Sequence, residues 1–328
     1  MSSLKSLTLC LMTLFAVPVV VNAQAVPQVK NQPGYYRLMV GQFEVTALSD
    51  GTFTMPMGTL LARTPADIIK QRLADDELDA SAVETSINTF LINTGKNLVL
   101  IDTGNGEKPG APVGRLLSNL KAAGYRPDQV DTVILTHLHG DHIGGLLTNG
   151  KPTFPNAAVY ISKADRDYWL SEANLQKAPA DGKANFQLAQ NTFQVINAAK
   201  KMKVYSGNDR IVPGITALPL SGHTPGHSGM WVDSEGAKLL VWGDIIHAAA
   251  VQFPLPATTI NFDSDMDTAA KNRASVLADA ADKGYWVAGA HISFPGLGHV
   301  KVLKDSDGQP NGYRWVPANY SLSGLAAQ

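Results

Sequence analysis

The run Thr136-His137-Leu138-His139-Gly140-Asp141-His142-Ile143-Gly144-Gly145 constrains this chain more than any other feature. It follows directly on the apolar stretch 130–135, which reads as a buried strand. In extended backbone, positions i and i+2 project to the same side, so His137 and His139 can grip one ion together. Gly140 is expected to turn the chain sharply, so that Asp141 and His142 face a second point nearby. Gly144 and Gly145 are expected to let the next segment approach closely. Three imidazoles and a carboxylate within six residues are donors of the kind that zinc takes.

The other candidate ligands are scattered but placed alike. The chain has eight histidines, none before His137 and none after His299. His223 follows a predicted strand over 215–219, Asp244 follows one over 239–242, and His291 ends one over 286–290. Each stands at the C-terminal end of its strand, where loops gather and ligands are placed. His137, His139 and His223 make one three-histidine set. Asp141, His142 and His291 make a second, and Asp244 can bridge them. Three protein ligands and a bridge leave each ion an open position, as a catalytic site requires. A structural zinc is closed by four ligands, often cysteines, and the only cysteine here is Cys10. The bland alternatives are a solvated polar loop, core histidines and a turn aspartate, and the convergence on two complete ligand sets outweighs them. His227 is expected to hydrogen-bond a ligand or its loop, and His299 has no evident ligand role.

Cys10 itself lies in a segment that reads as an address. Lys5, the apolar run 7–21 and the small-x-small sequence Val21-Asn22-Ala23 fit a secretory signal over residues 1–23, cut near Ala23. The run is too short for a comfortable membrane span, so no stable membrane insertion is expected, and the location expected is periplasmic. A chain without further cysteine draws its stability from an ordinary core rather than disulfides. Basic and acidic residues number 27 and 28, with no basic stripe, which argues against a nucleic-acid partner.

Residues 24–328 are expected to form a single domain. Strands are predicted at 35–48 (two, joined at Gly41-Gln42), 86–91, 97–101, 130–135, 157–162, 215–219, 229–232, 238–242, 286–290 and 312–317. Ser49-Asp50-Gly51 reads as a turn. Helices are predicted from Thr64 as N-cap to about Asp75, then at 112–123, 163–172 and 185–200, and at 267–283, capped by Asp267 and ended by Gly284. Two mixed halves, each with its own helices, give an α+β chain built as two sheets covered by helices.

These residues resemble the metallo-β-lactamase superfamily, and within it the methyl parathion hydrolases and related aryl lactonases. The resemblance covers nearly the whole chain after the leader. It rests on the metal loop and on Pro33-Gly34-Tyr35-Tyr36-Arg37, Thr46-Ala47-Leu48-Ser49-Asp50-Gly51, Gly222-His223-Thr224-Pro225-Gly226-His227, Ala249-Ala250-Val251-Gln252-Phe253, His291-Ile292-Ser293-Phe294-Pro295-Gly296 and Gly312-Tyr313-Arg314. It implies the four-layer αβ/βα sandwich, a dinuclear site with the ligand roles given above, and a homodimer. Trp169 and Phe186 match two positions of the family's aromatic substrate pocket, and a third falls at about Pro109. Organophosphate-degrading members carry an apolar residue three places after the bridging aspartate, where this chain has His247. Ile260 and Phe262 are bulkier than their counterparts, and Leu60 and Leu61 lie about where those members have an Arg. Lactone-hydrolysing relatives are closer at these positions.

The function expected is hydrolysis of a small-molecule aryl lactone, ester or phosphotriester by a hydroxide shared between two divalent ions, zinc first among them. Asp141 and Asp244 would orient the nucleophile and hold the ions, and His247 would donate to an alkoxide leaving group. The alternatives are a dedicated organophosphate hydrolase, an acyl-homoserine lactonase, a β-lactamase and a zinc-binding protein without turnover.

Overall fold

Alternation along one strand sets the layering. In Val83–Asn93, Phe90 and Ile92 point into one core and Leu91 into another, as a period of two requires. The same split recurs in Leu98–Ile101, with Val99 and Ile101 on one side and Leu98 and Leu100 on the other. Both faces of these strands are therefore apolar, and both must be covered.

The computed structural model describes residues 26, 28–108, 110–180 and 182–325. The expected leader, residues 1–23, and Cys10 lie outside the described residues. The chain divides between Gln32 and Pro33, and the architecture that follows is that of the unit from Pro33 onward. Of the preceding unit, residues 26 and 28–32 are described and form neither helix nor strand.

Two seven-stranded sheets make the frame. The first runs, in spatial order, Tyr35–Val40, Phe43–Met55, Val83–Asn93, Leu98–Ile101, Thr132–Ile134, Ala158–Ser162 and Met202–Tyr205. The second runs Arg210–Val212, Ile215–Pro219, Ser228–Ser234, Ala237–Val241, Trp286–Ala288, Leu297–Lys304 and Pro310–Pro317. They pack face to face through Val45, Phe90, Ile101 and Ile134 from one and Ile215, Met230, Val241 and Ala288 from the other. Helices Leu116–Ala122 and Lys183–Ala198 cover the outer face of the first sheet through Leu116, Leu120, Phe186 and Phe193. Helix Met266–Lys283 covers the second through Val276, Leu277 and Ala280. This is the αβ/βα sandwich. No helix among the described residues is long and apolar enough to cross a membrane.

Several elements differ from expectation for identifiable reasons. Ser49-Asp50-Gly51 is no turn: it is an irregularity within the strand Phe43–Met55, and the buried Asp50 carboxylate accepts the amides of Asn105, Gly114 and Leu116. Those bonds hold residues 112–115 as loop, so the helix expected from 112 begins at Leu116. Thr64 does not cap its helix: Pro65 is the cap residue, and the Thr64 hydroxyl pairs with that of Thr258. Asp265, not Asp267, caps the long helix, accepting the Thr268 amide, while Gly284 ends it in the left-handed conformation at φ 66° as expected. The strand Leu297–Lys304 was not anticipated. Its Gly298 and His299 obscure the pattern, and its pairing with Pro310–Pro317 supplies what propensity lacks.

Candidate metal centre

All seven expected ligands are brought together in two adjoining groups. His137, His139, His223 and Asp244 bring one donor atom each into a single group, and Asp141, His142 and His291 form a second. Asp244 joins them: its Oδ2 lies 3.2 Å from Nε2 of both His223 and His291, and its Oδ1 lies 3.2 Å from Nε2 of His142. Asp141 Oδ2 stands 3.3 Å from His291 Nε2, and His139 Nδ1 stands 3.0 Å from His223 Nε2.

The donors arrive at strand ends. Thr132–Ile134 delivers the loop to His137, and the short helix Gly140–Ile143 delivers Asp141 and His142. Gly140 is not the sharp turn that was expected, since its φ is not positive; a Cβ there would press on Leu188. Gly144 and Gly145 do serve close approach, because Cβ atoms there would fall about 2 Å from the carbonyl oxygens of Asn105 and Thr103. Gly243, at φ 57°, directly precedes Asp244, and a Cβ on Gly243 would fall 2.6 Å from His227 Nε2.

Three of the ligand imidazoles, His142, His223 and His291, are held from behind. Asp102 accepts His142 Nδ1–H at 2.9 Å and takes the Thr136 amide and hydroxyl at 2.8 Å each. Asp102 adopts φ 61°, a conformation rarely held outside glycine, and these three bonds keep it there. Asp263 accepts His223 Nδ1–H at 2.9 Å, and the carbonyl of Ser86 accepts His291 Nδ1–H at 3.0 Å. His227 donates from Nδ1 to the Leu220 carbonyl, so its Nε2 is the acceptor of the Asp244 amide. This supporting role for His227 matches the expectation. His299 lies apart, against Trp286. Asp102, Asp165, Asp263 and Arg273 were not singled out from sequence. Asp102 could have been, since it follows the apolar strand Leu98–Ile101 just as Asp244 follows its own.

The donor set fits two divalent cations. Nε2 of His137 and His142 and Oδ1 of Asp244 are buried without a hydrogen-bond partner, which a folded protein tolerates where something else satisfies them. Burial lowers His137 and His139, the latter to about 3, and the neighbouring imidazoles add to that. Burial opposes charge on His223 as well, yet its bonds to Asp244 and Asp263 override it and raise the ring to about 9. Asp244 is held well below the ordinary carboxylate range: burial alone would raise it, but His291, His142 and His137 outweigh that.

A cleft of about 920 Å³ opens over this centre, lined by Asp141, His223, Asp244, His247 and His291 at its base. Trp169 and Phe186 form part of its wall with ring centroids 4.6 Å apart, joined by Tyr168, and Trp169 stands edge-on to His139. Phe262 and Leu188 line it too and remain substantially exposed. Asn105 and Lys108 supply a polar stretch of wall, while Pro109 lies outside the described residues.

Three expected wall residues are not there. Ile260 and Leu61 are paired in a two-stranded ribbon and buried with Met55, Met57, Ile69 and Leu73, and Leu60 packs against the same cluster. They form a small core outside the cleft lining. His247 does line the cleft. Its Nε2 faces Asp244 Oδ2 at 3.2 Å and must carry the proton, because the carboxylate only accepts. Its other nitrogen, Nδ1, is then an acceptor without a partner, and burial drives the ring down to about 4.

Fold and centre together define the class: metal-dependent hydrolases built on a sandwich with a two-site carboxylate–histidine centre. Residues 82–291 match the sequence profile of the Metallo-beta-lactamase superfamily, and the chain belongs to that superfamily. It is similar to the crystal structure of hydrolase AbOPH of the beta lactamase superfamily, at 37% identity and a TM-score of 0.82 over 89% of this chain and all of that one. It is also similar to AidC, a dizinc quorum-quenching lactonase in complex with the product N-hexanoyl-L-homoserine, at 28% identity and a TM-score of 0.80 over 88% of this chain and 98% of that one. N-acyl homoserine lactonase AiiA of Bacillus thuringiensis subsp. kurstaki is 26% identical over 172 residues, 46% of this chain. That match spans 60% of the length of the lactonase.

Proposed function

We propose that the chain is a dinuclear hydrolase, with zinc as its ions, that opens aryl lactones and esters of the dihydrocoumarin type. Hydrolysis of phosphotriesters of the methyl parathion type is proposed as a second activity. The observation that carries the reading is a cleft with an aromatic wall set directly over a two-site centre. Among its lining residues Lys108 is the one cationic side chain apart from the histidines, so the wall suits a neutral, flat substrate rather than an anionic one.

Two divalent ions, when bound, supply Lewis acidity and lower the pKa of water toward neutrality. Trp169 and Phe186 stack against an aryl group and orient it. Asp141 is the more accessible of the two carboxylates, with 21% of its side chain exposed against 3% for Asp244, so it can orient an incoming water and take its proton. His247 donates from Nε2 to Asp244 and so fixes the orientation of that carboxylate. A phenolate leaving group needs little acid assistance.

A second reading, opening of N-acyl homoserine lactones, is supported by the similarity to AidC and by the size of the cleft, which has room for an acyl chain. The test compares kcat/KM for dihydrocoumarin, phenyl acetate, methyl parathion and N-hexanoyl homoserine lactone on metal-reconstituted protein. Dihydrocoumarin is expected to lead. A tenfold advantage for the acyl lactone installs the second reading, and no turnover of any of the four removes both.

A further inference from the structure

A guanidinium buried within a helix needs a reason, because an isolated cation is costly to remove from water and an apolar side chain of the same length would pack as well. Arg273, on helix Met266–Lys283, is 1% exposed. Its Nε donates to the Ile245 carbonyl at 2.7 Å, and its Nη1 donates to the carbonyls of Thr258 at 2.6 Å and Pro256 at 3.2 Å. Its Nη2 stands 3.7 Å from Asp263 Oδ2, an ion pair with both side chains out of solvent.

What these groups adjoin is one half of the metal centre. Asp263 Oδ1 is the acceptor for His223 Nδ1–H, and its Oδ2 also receives the Ile260 amide. Ile245 is the residue after Asp244. The Thr258 carbonyl is shared with Gln252, whose own carbonyl oxygen receives the amides of His247 and Ala248. One side chain therefore ties the segment after Asp244, the segment 256–263 and the carboxylate behind His223. The other half rests on different supports, Asp102 behind His142 and the Ser86 carbonyl behind His291.

We infer that Arg273 is a positioning residue for the three-histidine half of the centre: its guanidinium, through Asp263 and the Ile245 carbonyl, holds His223 in ligating orientation. The inference rests on the two-ion reading of the centre and not on which ester is opened. Partners behind a ligating histidine are worth about 10–100-fold in metal affinity. The loss on removing Arg273 should fall on one ion and spare the other.

The experiment titrates Zn2+ against a competing chelator for the parent, Arg273→Met, Asp263→Asn, His223→Ala and the double variant Arg273→Met/His223→Ala. The parent is expected to bind two equivalents. Arg273→Met should weaken one of them 10-fold or more and change the other less than threefold. Asp263→Asn, which keeps the side-chain shape, should give the same signature and stands as the test if Arg273→Met does not fold. In the His223→Ala background, Arg273→Met should leave the remaining equivalent unchanged, because the path it acts through is already cut. Arg273→Lys should recover part of the lost affinity. The inference is overturned if both equivalents weaken together, if neither changes, if Asp263→Asn binds as the parent does, if Arg273→Lys recovers none of the lost affinity, or if Arg273→Met weakens the remaining ion in the His223→Ala background. A parent that binds fewer than two equivalents counts instead against the two-ion reading itself.

Discussion

Asp165 Oδ2 accepts the hydroxyl of Thr224 at 2.9 Å, and this contact joins two loops that are far apart in sequence. The same carboxylate takes the Leu138 amide, between His137 and His139, and the Gly226 amide, three residues after His223. It sits fully buried on helix Lys163–Trp169, so the three histidines of one half are set against each other by a residue that touches none of them. Three donors converge on one acceptor here, and a substitute that cannot accept from all three leaves a buried group unpaired.

Asp165→Asn keeps the shape but turns an amide toward one of those donors. An unsatisfied buried donor costs about 1–3 kcal/mol. The variant should lose stability in that range by denaturant unfolding with an unchanged m-value, and should bind Zn2+ more weakly in chelator competition. A variant that unfolds with the parent and holds metal equally well removes the clamp from the account.

Asp102 supports the opposite half. Asp102→Ala leaves His142 Nδ1 and the Thr136 amide and hydroxyl without their acceptor in a buried setting. A destabilisation of at least about 3 kcal/mol is expected from the unpaired groups. Metal affinity should fall about 10–100-fold for the equivalent on Asp141, His142 and His291. Asp102→Asn, which can still accept the Thr136 amide, should be milder in both respects. Equal damage to both equivalents would show that Asp102 serves the fold rather than His142.

How much of this was legible in the sequence follows from where each residue sits. His137, His223, Asp244 and His291 could be found because each ends an apolar strand, and strand ends carry sites. Asp102 obeys the same rule and was passed over because it stands alone, without a neighbouring histidine. Asp165 and Arg273 lie on helices, where a charged residue ordinarily marks the solvent face. Only the packing of the loops above them makes them buried, and no local pattern records that. The aromatic wall divides in the same way: Trp169 and Phe186 were legible, but Ile260, Leu60 and Leu61 were misplaced. A two-stranded pairing between segments about 200 residues apart turns them into a separate core.

Phe262 tests whether the lip of the cleft holds substrate. Its ring is 44% exposed and lines the cleft, so truncation leaves no cavity in the core. Phe262→Ala should change stability by no more than about 0.5 kcal/mol. It should raise KM about 5–10-fold for aryl substrates and leave kcat within about twofold, the signature of binding lost equally from ground and transition states. A fall in kcat at constant KM would place Phe262 in the chemistry instead of the lip.

A substitution at His247 tests whether this residue discriminates between substrates. Its Nε2–H bond to Asp244 orients the carboxylate that links the two halves, while its Nδ1 is buried without a hydrogen-bond partner. His247→Leu removes both features. The lost bond should lower turnover of every substrate, whereas the added apolar surface should favour a bulky triester over a compact lactone. The ratio of methyl parathion to dihydrocoumarin kcat/KM is therefore expected to rise about 10-fold, equivalent to roughly 1.4 kcal/mol of differential transition-state stabilisation. The measurement is the pair of rate constants on the same metal-loaded preparation, which cancels errors in active-site concentration. If both constants fall by one factor, His247 acts on Asp244 alone, and the proposed preference for lactones would rest on the wall formed by Trp169, Phe186 and Phe262.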